Sequence, residues 1–166
     1  KTGTLTENQM TVREVWAGGV CHTVSGGGYS PEGHLGDPAA PPPIVGALRE
    51  TLLAGALCND AALTRRASHW EVAGDPTEGA LLVLVRKAGL DEGTLQAISP
   101  RLDVLPFDSA TQFMATAHDI EGQQRVYVKG AIERVLPRCA TMLDASGQIV
   151  PLEAALIEGH AHAMAE

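Results

Sequence analysis

Residues 105–133 read LPFDSATQFMATAHDIEGQQRVYVKGAIE. Apolar and β-branched runs between polar breaks predict three strands, over residues 103–107, 113–118 and 124–129. Along the last of these, alternation sets Val126 and Val128 on one face and Arg125, Tyr127 and Lys129 on the other. Lys129 ends that strand, Gly130 follows, and a short helix is expected from Ala131 to Val135. A lysine at a strand-to-helix junction, beside a residue without a side chain, can meet an anion at the positive end of the helix. The plainer alternative is an exposed strand-end lysine. Phe107 follows Pro106 and precedes a polar turn, and Phe113 opens the next strand. Either ring could stack on a planar ligand, or both could be core.

On the N-terminal side, residues 11–17 (TVREVWA) read as a strand, Gly18-Gly19 as its turn and residues 20–24 as the return strand of a hairpin. Residues 25–43, rich in Gly and Pro and closing on Pro41-Pro42-Pro43, read as one long loop. Leu48, Leu52, Leu53 and Ala56 recur at helical spacing and predict a helix over 44–57, ending near Cys58-Asn59-Asp60. Further expectations are a strand over 69–72, helices over 76–88 and 91–98, a turn at Asp144-Ala145-Ser146-Gly147 and a last helix over 152–165. Strands slightly outnumber helices and their order is irregular. The fold class expected is therefore α+β, a mainly antiparallel β-sheet flanked by helices.

The 166 residues suit one domain, and 45% apolar content is enough for a core. With 12 basic and 20 acidic residues the net charge is −8, and the only adjacent basic residues are Arg65-Arg66 and Arg86-Lys87. Nucleic-acid binding is excluded as an expectation, because phosphate backbones are met by clustered Lys and Arg. The longest apolar run, Ala80 to Val85, is far short of the ~20 residues of a membrane span. Cys21, Cys58 and Cys139 are odd in number and far apart, which argues for reduced thiols and against a disulfide framework or a zinc site. Cys58 is expected to be a buried small hydrophobe. His160 and His162 point to different faces of a helix, so they do not make a metal pair.

In GDPTEGALLVLVRKAGL, residues 74–90, Asp75 stands at an N-cap position, Pro76 at N1 and Glu78 at N3. That is the spacing of a capping box, in which Glu78 closes the helix start at a gain of about 1 kcal/mol. A carboxylate there can alternatively accept a hydrogen bond from a ligand's amine. The chain opens on Lys1-Thr2-Gly3-Thr4-Leu5-Thr6, whose composition suits a loop holding a phosphate on its backbone N–H groups.

The order of these stretches is more specific than any one of them. KTGTLT (1–6), GYSPEG (28–33), CND (58–60), GDPTEGAL (74–81), FDS (107–109) and KGA (129–131) follow one another along the chain. This series resembles the cytosolic nucleotide-binding domain of P-type cation-transporting ATPases, and most of all the calcium-type and sodium/potassium-type branch in bacteria. In that family the phosphorylated aspartate directly precedes KTGT. The sequence is then expected to be a piece that starts one residue past that aspartate. Residues 1–8 would be a remnant of the phosphorylation-domain loop, frayed or irregular here, and residues 9–166 the nucleotide-binding domain.

The resemblance implies ATP as ligand and a pump as parent, an integral membrane protein with this domain in the cytoplasm. It implies that Phe107 stacks on adenine, that Lys129 lines the adenine end of the pocket, that Gly130 gives the base room and that Glu78 contacts the adenine amine. Thr77, Ser109, Gln112 and Ala131 would lie beside them. Lys1, Thr2, Gly3 and Thr4 match the phosphorylation loop, where Mg²⁺ and the γ-phosphate would sit. Partners would be ATP or ADP and the phosphorylation and actuator domains of the parent; the piece alone would be monomeric and would bind without turnover. The transported ion is read as calcium from the branch alone, with Na⁺/K⁺ or another cation as the alternatives.

One departure from the family pattern stands out. A basic pair is common in the family where this chain has Thr111 and Gln112, and Asp108-Ser109-Ala110-Thr111-Gln112-Phe113 holds no cation. Without that charge-assisted contact, binding is expected at high micromolar to millimolar, roughly 4–6 kcal/mol. A degenerate pocket with a regulatory or interaction role is the alternative.

Overall fold

A computed structural model describes residues 9–165. The hairpin near the start is β1 (Glu14–Ala17) with β2 (Val20–Thr23), followed by the long loop and helix α1 (Gly46–Leu57). A second hairpin, β3 (Ala62–Arg66) with β4 (His69–Ala73), leads into α2 (Pro76–Lys87) and α3 (Glu92–Ile98). Then come the three strands of the stretch quoted above, β5 (Arg101–Asp108), β6 (Phe113–Ile120) and β7 (Gln123–Gly130), paired in that order. Helix α4 (Ile132–Val135) runs into a 3-10 turn at Leu136–Arg138, and the hairpin β8 (Thr141–Leu143) with β9 (Ile149–Pro151) precedes α5 (Ala154–Ala165). Every strand pairing described is antiparallel, so the α+β class holds. The sheet is divided into one three-stranded and three two-stranded pieces.

Strands β3, β8 and β9 were not among the expected elements. In β3 only Leu63 is buried, and the turn to β4 passes through Ala67 at φ 50° rather than through glycine or asparagine. Neither the apolar pattern nor the usual turn residues mark that hairpin.

The core lies between α1, α2 and the three-stranded sheet. Leu52, Ala56 and Leu57 of α1 are fully buried, as the 3–4 spacing requires. Leu84 and Val85 of α2 join them, with Met114 and Tyr127 from the sheet. A smaller cluster, Ala61, Leu63, Leu82 and Val83, fills the space between α2 and the β3–β4 hairpin. Cys58 is fully buried, its thiol directed at the Met114 carbonyl, and burial pushes its pKa up.

Tyr127 faces this core and donates to Glu50 Oε2 at 3.2 Å, while Val126 and Val128 face outward. The alternation expected for β7 is present at its C-terminal end, with Tyr127 and Lys129 turned inward, while Arg125 stays exposed. At the start of α1, Gly46 has φ +55°, and a Cβ there would stand 2.2 Å from the Ala145 carbonyl oxygen. The 144–147 turn therefore packs directly on that backbone.

Helix α2 starts as the sequence requires except at Glu78. The Asp75 carboxylate accepts from the N–H groups of Thr77 (2.8 Å) and Glu78 (3.2 Å), with Pro76 at the first turn. The expected capping box is not closed, because the Glu78 carboxylate is bonded elsewhere. Helix α3 is fixed to α2 by a bidentate pair, Arg86 with Glu92, at 2.6 to 3.1 Å.

Candidate functional site

A pocket of about 530 Å³ opens between the start of α2, the end of β5 and the end of β7. It is within the size range of small-molecule sites. Of the expected site residues, Thr77, Glu78, Phe107, Gln112, Lys129, Gly130 and Ala131 line it together. Asp60, Asp75, Leu81 and Met114 complete the wall. Ser109 lies in the turn after Phe107 and is not part of the lining. Lys1, Thr2, Gly3 and Thr4 lie outside the described residues.

The floor is an ion pair. Lys129 Nζ stands 2.5 Å from Glu78 Oε1, with side-chain exposures of 24% and 14%. Strand pairing sets Lys129 opposite the buried Met114, which directs its side chain toward α2 rather than into solvent. The exposed strand-end lysine considered from sequence is therefore replaced by a half-buried, paired one. Glu78 Oε2 accepts the backbone N–H of Asp60 at 3.1 Å. The glutamate is thus held on two sides, with its helix capped by Asp75.

The segment 58–60 behind Glu78 is itself fixed. Asn59 Nδ2 donates to the carbonyls of Gly55 (2.9 Å) and Glu78 (3.0 Å), and its Oδ1 accepts from Ala61 N–H (2.9 Å). Arg101 at the start of β5 donates to the carbonyls of Leu57 (3.1 Å) and Asn59 (2.6 Å) and pairs with Asp60 Oδ1 at 2.6 Å. Arg101 and Asn59 were not expected site residues. They act by fixing the amide that holds Glu78. The sequence signal was the Cys58-Asn59-Asp60 stretch at a helix end, where side chains that bond backbone groups are favoured.

The other side of the pocket is the turn between β5 and β6. Asp108 Oδ1 accepts from Ala110 N–H at 2.7 Å, and Asp108 O accepts from Gln112 N–H at 2.7 Å. Gln112 takes φ 57°, an uncommon backbone region for a residue with a Cβ. Its carbonyl accepts from Ala131 N–H at 3.0 Å, which ties the turn to the start of α4. Gly130 sits in this crossing: a Cβ there would fall 2.4 Å from the Gln112 carbonyl oxygen and 2.5 Å from Phe113 Cβ. Close backbone approach is by itself a reason for glycine at this position.

Phe107 and Phe113 separate clearly. Phe107 is 61% exposed and borders the pocket, which leaves its ring face available. Phe113 is half-buried under the Arg138 guanidinium, 5.0 Å from its ring centre. At the far end of the chain, His160 stacks on Trp16 with ring centres 5.0 Å apart. No helix among the described residues is long and apolar enough to cross a membrane.

Known proteins give this geometry a context. The family profile described as P-type ATPase, cytoplasmic domain N, matches residues 47–166. A cation-transporting ATPase of Synechocystis sp. is 48% identical over the whole of this chain and 19% of its own length. A probable cation-transporting ATPase F of Mycobacterium bovis is 46% identical over 95% of the chain and 18% of its own length. A calcium-transporting ATPase of Bacillus subtilis is 37% identical over 83% of the chain. The chain spans about a fifth of the length of the first two relatives. Its pocket walls, from Asp60 to Ala131, fall within the matched residues, and the chain belongs to the family of cytoplasmic N domains of P-type ATPases.

Proposed function

We propose that this domain binds ATP by its adenine for a P-type cation pump. In the parent the bound nucleotide would present its γ-phosphate to an aspartate preceding Lys1. The observation that carries this is the placement of an exposed phenylalanine, Phe107, at the mouth of a pocket whose floor is the Lys129–Glu78 pair. An aromatic face supplies stacking. A carboxylate with an accepting oxygen at the floor suits an exocyclic amine, and a lysine suits a ring nitrogen. Gly130 and Ala131 present little side chain at the same wall.

Among the described residues no three His, Cys, Asp or Glu side chains are grouped to hold a metal ion. Mg²⁺ would travel with the phosphate chain, held by its oxygens and by the phosphorylation loop of the parent. The domain's share of phosphoryl transfer is positioning: it holds the base while closure against the phosphorylation domain brings the γ-phosphate to its acceptor. The parent is read as a calcium pump, after the calcium-transporting relatives. The chain by itself is expected to bind and not to hydrolyse.

Calorimetric titration tests this. The 166-residue chain should bind ATP and ADP saturably, at high micromolar to millimolar affinity and within tenfold of each other, because recognition is centred on the base. A preference for ATP beyond tenfold contradicts base-centred recognition. No saturable binding of either moves the regulatory alternative to the front.

A further inference from the structure

The pocket wall is charged against a polyanion. It carries Asp60, Asp75 and Glu78 and one cation, Lys129, which is already paired with Glu78. Asp60 is paired with Arg101, and Asp75 is an N-cap. If the pocket takes a nucleotide, its phosphate chain must leave toward a positive group that is not one of these. Near the turn between β5 and β6 the described residues offer two cations in no ion pair with a carboxylate, Arg134 and Arg138. Arg134 Nε donates to Oε1 of the pocket residue Gln112 at 3.0 Å. Arg138 lies over Phe113 and donates to the Arg134 carbonyl.

The elements that carry them are fixed to the pocket wall. Ala131 N–H bonds the Gln112 carbonyl at 3.0 Å, so α4 starts against the turn, and Arg134 is one helical turn on. Bonding through Nε anchors the guanidinium by its inner edge. No hydrogen bond from its two terminal nitrogens is described, and that pair of donors matches two phosphate oxygens. Residues 108–113 hold no cation, and Arg134 of α4, though not itself part of the pocket lining, stands against Gln112 of that stretch.

We propose that Arg134 is the phosphate-binding cation of this site, held in place by Gln112, with Arg138 supporting it. The ligand class is the phosphate chain of a nucleoside di- or triphosphate seated by its base in the pocket; the proposal rests on the nucleotide reading above.

The test compares ATP and adenosine affinities of the 166-residue chain, of Arg134→Ala, and of Arg65→Ala as a control for net charge. The expected result is an ATP affinity about tenfold lower in Arg134→Ala. Adenosine affinity should stay within twofold, Arg65→Ala should be unchanged, and Arg134→Lys should recover part of the loss. If Arg134→Ala does not fold, Arg134→Gln makes the same comparison. An ATP affinity equal to that of Arg65→Ala overturns the proposal and leaves the nucleotide reading intact. An equal loss for adenosine also overturns it, since Arg134 would then only shape the turn. An unaltered chain that binds neither ligand overturns the nucleotide reading and the proposal together.

Discussion

Lys129→Met should lower the stability of the domain by about 2 kcal/mol and reduce ATP affinity by roughly tenfold or more. The reason is what it leaves behind. Glu78 is only 14% exposed on its side chain and would keep one partner, the Asp60 N–H. Removing one member of a fully buried pair costs about 3–5 kcal/mol, and the partial exposure here scales that down. Urea denaturation of Lys129→Met, Glu78→Gln and the double variant gives the coupling directly. The double variant should be more stable than Lys129→Met, because the uncompensated charge is gone. A Lys129→Met domain as stable as the parent would show that the pair is not part of the fold.

Phe107→Ala should do the opposite. Its ring is 61% exposed, so truncation leaves the core untouched and the unfolding midpoint unchanged. Binding should fall for ATP, ADP and adenosine alike, by about 1–3 kcal/mol, or roughly five- to 150-fold. Phe107→Trp, which keeps a ring face, should retain most of the affinity. Equal loss across the three ligands identifies contact with the base, and a loss confined to ATP would place Phe107 at the phosphates instead. Unchanged affinity would remove stacking from the account. The two variants divide the site into a floor that the fold also needs and a mouth that it does not.

This division explains what could be read from the sequence. Helix α1 was legible because Leu48, Leu52, Leu53 and Ala56 repeat at 3–4 spacing and do face the core. The first hairpin was legible from Gly18-Gly19, both at positive φ. The strands of the three-stranded sheet were legible from their bounding polar turns. Strand β3 was not, since a polar edge hairpin with one buried residue carries no period that a pattern can find.

Of the residues named in the sequence for a ligand, seven line one pocket, and they were named from resemblance more than from spacing. Spacing alone put Glu78 in a capping box. The structure gives the cap to Asp75 and sends Glu78 across the pocket to Lys129. That choice depends on a contact between residues 51 positions apart, which no local window holds. The same holds for Arg101 behind Asp60, 41 positions away, and for Arg134 beside Gln112, 22 positions away. A search of 108–113 for a cation finds none, and the one that stands beside Gln112 comes from the next helix.

Backbone amide shifts of the isotope-labelled chain, followed as ATP is added, locate the ligand without assuming where it goes. The account predicts saturable shifts clustered at Glu78, Phe107, Gln112, Lys129 and Gly130, largely lost in Lys129→Met. A well-dispersed spectrum in which several millimolar ATP moves none of these amides would contradict it.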